Sequence, residues 1–178
     1  MASTTSLTID DFERLPAEAV RNRELVDGAL VDVSGNTPIH NKVRDRLIAL
    51  LLSWLNQNHT GDAIAEQEYF LGNAHGPDVS YYGADKLPLV DNHKRVQRFV
   101  PDLAVEIVSA TDTYENLMCK KDRYHRAGTG EVWLVSTERT EITIYTAAGV
   151  RIVSSGDTLA SDLLPGFAIA VDDLFRGL

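Results

Sequence analysis

The run Leu103 to Val108, LAVEIV, is apolar at every position except Glu106. A strand of this composition must be covered on both faces, because a strand with one wet face would alternate polar and apolar residues. SATD follows it with helix-capping residues, then comes a helical stretch from about Tyr114 to Ala127 ended by Gly128 and Gly130, and then EVWLVS, a second buried strand. A strand–helix–strand order of this kind implies a parallel pair. LAVEIV therefore reads as the central strand of an α/β core.

The remaining segments supply elements to pack around it. TIDDFERLP reads as a short capped entry helix, with Thr8 as N-cap, Asp11 at the third helical position and Pro16 closing it. In RELVDGALVDVSG, Asp27-Gly28 lies between two apolar alternations and signals a β-hairpin, which puts Glu24 on a strand. From Pro38 to about Asn58, Val43, Leu47, Leu50, Leu51, Trp54 and Leu55 recur at helical spacing, with Asn41, Lys42, Asp45 and Arg46 on the other side. Strands are expected around Ala63 to Leu71 and Asp78 to Tyr82, followed by a long loop from Gly83 to Pro101. EITIYT and VRIVSS flank an AAG turn as an antiparallel hairpin, and DLLPGFAIAVDDLF closes the chain as turn, strand and short helix.

At 178 residues and 44% hydrophobic content, the chain has the size of one compact domain, 1–178, with a real core. The N-terminal MASTTSLTIDDFERL lacks a basic region followed by an apolar stretch, and the longest apolar run, Leu47 to Leu52, is far below a membrane span. A cytoplasmic protein with no membrane partner is expected. The single cysteine, Cys119, excludes an internal disulfide and reads as a small buried hydrophobe. His40, His59, His75, His93 and His125 show no zinc-type pairing, and neither His40 nor Cys119 is assigned chemistry. The net charge of −9 argues against a general electrostatic hold on nucleic acid, so any such contact must come from local patches. Two are visible: Lys42, Arg44 and Arg46 on the long helix, and HKRVQR at His93 to Arg98. Both also fit ordinary solvated basic surface.

Glu106 is the most informative residue, since a carboxylate in a two-sided apolar strand is costly unless a cation or metal faces it. Two Pro-Asp pairs, in GPDVSYY and VPDLAVEIVS, offer it a partner. Asp102 shares its strand face but lies about 13 Å away along the chain. Asp78 opens a different strand, and if that strand neighbours Leu103 to Val108 the backbones stand about 4.8 Å apart, so both carboxylates could reach one hard cation. Taken locally, Asp78 also fits an ordinary turn aspartate. Leu117, Lys120, Lys121 and Tyr124 fall at i, i+3, i+4 and i+7, which draws at least one lysine toward the sheet and Glu106; a lysine snorkelling past the core edge fits equally. Glu24 could add a ligand or a base, or be a solvated strand glutamate.

The order of RELVDGAL, HNKVRDRLIALL, GPDVSYY, PDLAVEIVSATD, KKDRYHRAG and EVWLVS resembles the Uma-two family of restriction-endonuclease-like proteins over nearly the whole chain. It is similar to the PD-(D/E)XK nuclease superfamily with the lysine displaced to the following helix, since the usual lysine position here is Val108. The resemblance implies an α/β restriction-endonuclease-like fold, a central mixed sheet flanked by helices, with antiparallel hairpins at both ends. It implies Asp78 and Glu106 as ligands of Mg²⁺ or Mn²⁺, Glu24 completing the acidic cluster, and Lys120 as the catalytic lysine. The expected activity is endonucleolytic hydrolysis of DNA phosphodiester bonds. Two departures, Ala110 in place of a proline and Ser136-Thr137 in place of an early aspartate, touch loop geometry only. Rival readings are an inactive nuclease fold that binds DNA or protein, and a metal-dependent hydrolase of small phosphate esters. Cutting both strands needs two sites, which makes a homodimer compatible by analogy.

Overall fold

The computed structural model describes residues 6–21, 23–32 and 36–178. The chain opens with α1 (Ile9–Arg14) and α2 (Ala17–Val20), then the hairpin β1 (Arg23–Val26) and β2 (Ala29–Asp32). α3 (Pro38–Asn58) leads into β3 (Gly61–Ala65), β4 (Glu68–Phe70), β5 (Ala74–His75) and β6 (Val79–Gly83). A 3₁₀ turn at Leu87–Leu89 precedes β7 (Val96–Gln97), and β8 (Leu103–Val108), α4 (Tyr114–Ala127) and β9 (Glu131–Ser136) form the strand–helix–strand unit. β10 (Glu141–Thr146), β11 (Gly149–Ser154), β12 (Thr158–Ala160), β13 (Ala168–Ala170) and α5 (Val171–Phe175) complete the chain.

Local chemistry explains the boundaries. Thr8 and Asp11 form a reciprocal capping box at α1, satisfying two amide donors that the first helical turn leaves open. Thr37 caps α3 with Pro38 in its first turn, where the missing N–H costs nothing. Asp27 and Gly28 both adopt positive φ, 50° and 77°, as a tight hairpin turn between β1 and β2 requires. The expected continuation of that segment through 33–35 lies outside the described residues.

β8 and β9 pair in parallel, as the crossover by α4 requires, and the six-stranded sheet runs β11-β10-β9-β8-β6-β3 with all its other pairs antiparallel. Alternation along β8 sorts the core into two layers. Leu103, Val105 and Ile107 join Val43, Leu47, Leu51 and Trp54 of α3 on one side. Ala104 joins Tyr124 of α4 and Val132 and Leu134 of β9 on the other, and Glu106 shares this parity. The mixed α/β architecture expected from the sequence is therefore present, and Glu106 faces α4.

Three expectations need correction. The stretch from Ala63 to Leu71 is not one strand: Glu66 takes positive φ, 55°, and breaks it into β3 and β4, which join different sheets. The expected loop from Gly83 to Pro101 contains β7, which pairs in parallel with β4 as the edge of a second sheet, β2-β1-β5-β4-β7. Cys119 is exposed rather than buried, because it lies on the solvent side of α4. Leu47→Ala, which empties a fully buried position, should accordingly cost about 2–5 kcal/mol in denaturant unfolding. Cys119→Ser should stay within about 0.5 kcal/mol of the parent in the same measurement.

Candidate active site

The antiparallel register of β6 on β8 pairs Val79 with Val105, and one further step places Asp78 across from Glu106. Asp78 is fixed there by its own surroundings. Its Oδ2 accepts the Ile107 N–H at 2.7 Å and the His40 Nε2–H at 3.2 Å, while its carbonyl accepts the Glu66 N–H. A carboxylate only accepts, so His40 carries its hydrogen on Nε2. Among the described residues, Oδ1 of Asp78 takes no hydrogen bond.

Glu106 is 4% exposed, and both of its oxygens are engaged. Lys120 Nζ donates to Oε2 at 2.8 Å, and the buried Tyr124 hydroxyl donates to Oε1 at 2.6 Å. The Glu106 carboxyl is raised to about 7, chiefly by burial, with Lys120 opposing the rise, the like charge of Asp78 adding to it, and the Lys120 and Tyr124 hydrogen bonds moderating it. The Glu106 carboxylate beside Lys120 raises the lysine's pKa, so it stays an ammonium. Tyr124 is held well above its ordinary range, first by burial and then by Glu106, and remains a neutral donor.

Glu24 sits on β1 beside β5, whose His75 donates from Nδ1 to its Oε2 at 3.1 Å. Burial alone would raise the Glu24 carboxyl; His75, Lys120 and the Gly76 amide together hold it below its ordinary value. The hydrogen on His75 Nδ1 points to Glu24, so the Arg123 nitrogen 3.2 Å from that atom cannot also donate to it. Glu24, Asp78, Glu106 and Lys120 all line one cleft of about 620 Å³. Among the described residues, however, no three His, Cys, Asp or Glu side chains converge on one point, so the structure brings Asp78 and Glu106 together and leaves Glu24 at Lys120's side.

The donor set suits a hard divalent cation. Mg²⁺ is commonly held by one or two carboxylates and keeps several waters, which is the donor type that the Asp78–Glu106 pair offers, and a cation there would offset their mutual repulsion. Asp102 lies elsewhere: its carboxylate accepts the Gly83 N–H at 2.8 Å and pairs with Lys86, tying the start of β8 to the end of β6. Lys121 pairs with Asp122 and lies over the Tyr145 ring. A larger cavity, about 710 Å³, borders β10 and β11, but its buried Glu131 is already satisfied by Trp133 and Ser161.

Three residues of the cleft region escaped the sequence reading: His40, His75 and Tyr124. His40 left a signal, since it precedes Val43 and Leu47 by three and seven residues and so shares the buried face of α3, and Tyr124 left one by following Lys120 at helical spacing on the sheet-facing side of α4; His75 left none. Much of the basic surface is spoken for. Arg44 pairs with Glu66, Arg95 with Glu68, Arg98 with Asp10 and Lys94 with Glu13, while Arg46 donates to the Leu174 carbonyl.

No curated protein matches the chain. Its fold is similar to the crystal structure of "a putative nuclease belonging to DUF820 from Anabaena variabilis ATCC 29413", with a TM-score of 0.81, 17% sequence identity, and coverage of 95% of this chain and 97% of that one. The family model for Uma2, described as "Putative restriction endonuclease", matches residues 9–172. With nearly its whole length matched, this chain belongs to the Uma2 family.

Proposed function

We propose that this chain is a metal-dependent endonuclease that hydrolyses DNA phosphodiester bonds. The observation that supports it most is the pairing of Asp78 with Glu106 across β6 and β8, with the Lys120 ammonium 2.8 Å from Glu106 at the edge of an open cleft. Asp78 and Glu106 would hold Mg²⁺ or Mn²⁺, with a main-chain carbonyl of β8 as a further ligand. When bound, such an ion supplies Lewis acidity toward the phosphoryl group.

The protein's own groups divide the remaining work. His40 and the Ile107 amide fix the plane of the Asp78 carboxylate. Tyr124 fixes that of Glu106. The Lys120 side chain is 29% exposed, so an ammonium with three N–H donors can hold Glu106 and still orient an attacking water in the cleft. Because it remains charged, it cannot take the water's proton; it offsets negative charge growing on the phosphoryl oxygens. Glu24, kept ionised near Lys120, is placed to accept a proton or to steady the lysine.

One observation favours a rival, an inactive nuclease fold that binds DNA or protein: both Glu106 oxygens are already occupied by Lys120 and Tyr124. Metal binding separates the two. A saturating ion at about a hundred times its Kd should add about 2.7 kcal/mol of stability, a rise of roughly 5–10 °C in Tm for a chain of this size. An unchanged Tm with Mg²⁺ and Mn²⁺, together with no calorimetric binding, would refute the metallonuclease reading. Cleavage that small phosphate esters outcompete while DNA fragments do not would move the substrate from DNA to those esters.

A further inference from the structure

The catalytic cleft does not end at the carboxylates. A second groove of about 620 Å³ meets it at Cys119 and Arg123, which line both. Beyond that junction the groove is lined by Phe70, Asn73 and Arg126. Phe70, on β4, is 38% exposed, and the Arg98 guanidinium, itself paired with Asp10, lies over one face of its ring, 5.3 Å from the centroid. Arg126, in the last turn of α4, makes no hydrogen bond or close ion pair among the described residues, although its charge acts on Asp122 one turn earlier. Two carboxylates also line this groove, but Asp27 accepts from Asn73 and Asp122 is paired with Lys121.

We infer that this groove is the track for a single nucleic-acid strand, which runs from the scissile phosphate past Arg123, lays a base on Phe70 and sets a phosphate at Arg126. This rests on the phosphodiesterase reading above and narrows its substrate to a single-stranded or locally opened DNA. The physical reasons are independent of the carboxylates. An aromatic face beside arginines is what a sequence-tolerant strand platform consists of, since every base has a face to stack and every linkage a charge to meet. The −9 net charge and the pairing of Arg44, Arg95, Arg98 and Lys94 with acids leave little to grip both backbones of a continuous duplex. A short groove that needs only a few cations suits one strand.

Fluorescence anisotropy with a labelled 12-nucleotide single strand and the matching duplex, in metal-free buffer, reads the track without any cleavage. The single strand should bind more tightly than the duplex. Phe70→Leu, which keeps apolar bulk and removes the ring, should weaken single-strand binding about 5- to 100-fold. Arg126→Gln should weaken it and flatten its salt dependence. Hydrolysis of bis(p-nitrophenyl) phosphate, too short to reach Phe70, should be unchanged in both variants, which shows that the cleft is intact. A second readout needs no substitution: the single strand should slow alkylation of Cys119, the only cysteine, at the junction of the two grooves. Equal binding of duplex and single strand, or no effect of Phe70→Leu, would overturn the track. Loss of strand binding in Phe70→Leu, alongside a wild-type protein that cleaves nothing with either metal, would uphold the track and refute the hydrolytic reading instead.

Discussion

Asp78→Asn should abolish divalent-metal binding and DNA cleavage, whereas Asp102→Asn should leave both nearly intact. The two residues share the Pro-Asp context but not their surroundings. Asp78 stands across β6 and β8 from Glu106, and its charge adds to the burial that raises the Glu106 carboxyl. Asparagine keeps an oxygen to accept the Ile107 and His40 hydrogens, so the variant should fold, and removing the like charge should stabilise the metal-free protein. Asp102 instead accepts from Gly83 and Lys86 at the far end of β8. Its loss should cost about 1–2 kcal/mol in unfolding, as expected for charge-assisted hydrogen bonds, with no change in metal affinity. Side-by-side metal titrations decide the matter: if Asp102→Asn is the variant that loses the ion, the site lies at the second Pro-Asp.

The second large effect concerns neighbouring lysines. Lys120→Ala should lower kcat about 10²- to 10³-fold, the size of loss expected when a donor aimed at developing charge is removed. Lys121→Ala should largely spare turnover, because its ammonium is committed to Asp122 and the Tyr145 ring on the flank of α4. Metal affinity should fall less than turnover in Lys120→Ala. Removing the ammonium leaves the buried Glu106 without its cation, so the metal-free variant should also unfold more easily while bound metal restores part of the loss. Equal loss of activity in both variants, with folding intact, would mean that the lysine register is wrong.

The sequence made Glu106 conspicuous because an acid inside LAVEIV has no local partner, and burial of that acid forces a cation nearby. Helical spacing then narrowed the cation to Lys120 or Lys121, and family resemblance was needed to choose between them. The structure places Lys120, the one chosen, on Glu106. The Asp78–Glu106 pairing was legible only as a condition, since it depends on β6 lying beside β8. What could not be read shares one cause: long-range pairing between short strands. β4, β5 and β7 have two or three residues each, too few to show a period, yet they build the sheet that brings His75 to Glu24. The ion pairs of the basic patches were hidden as well, because their acidic partners, such as Asp10 for Arg98 and Glu68 for Arg95, are far away in the chain.

The central claim is hydrolysis at the Asp78–Glu106 pair, and the most direct measurement is cleavage of single- and double-stranded DNA by purified protein with Mg²⁺ or Mn²⁺ against a chelator control. Cleavage that requires the metal, favours the single strand and disappears in Asp78→Asn is the predicted result. No cleavage with either metal, or cleavage that persists in Asp78→Asn, would contradict the account.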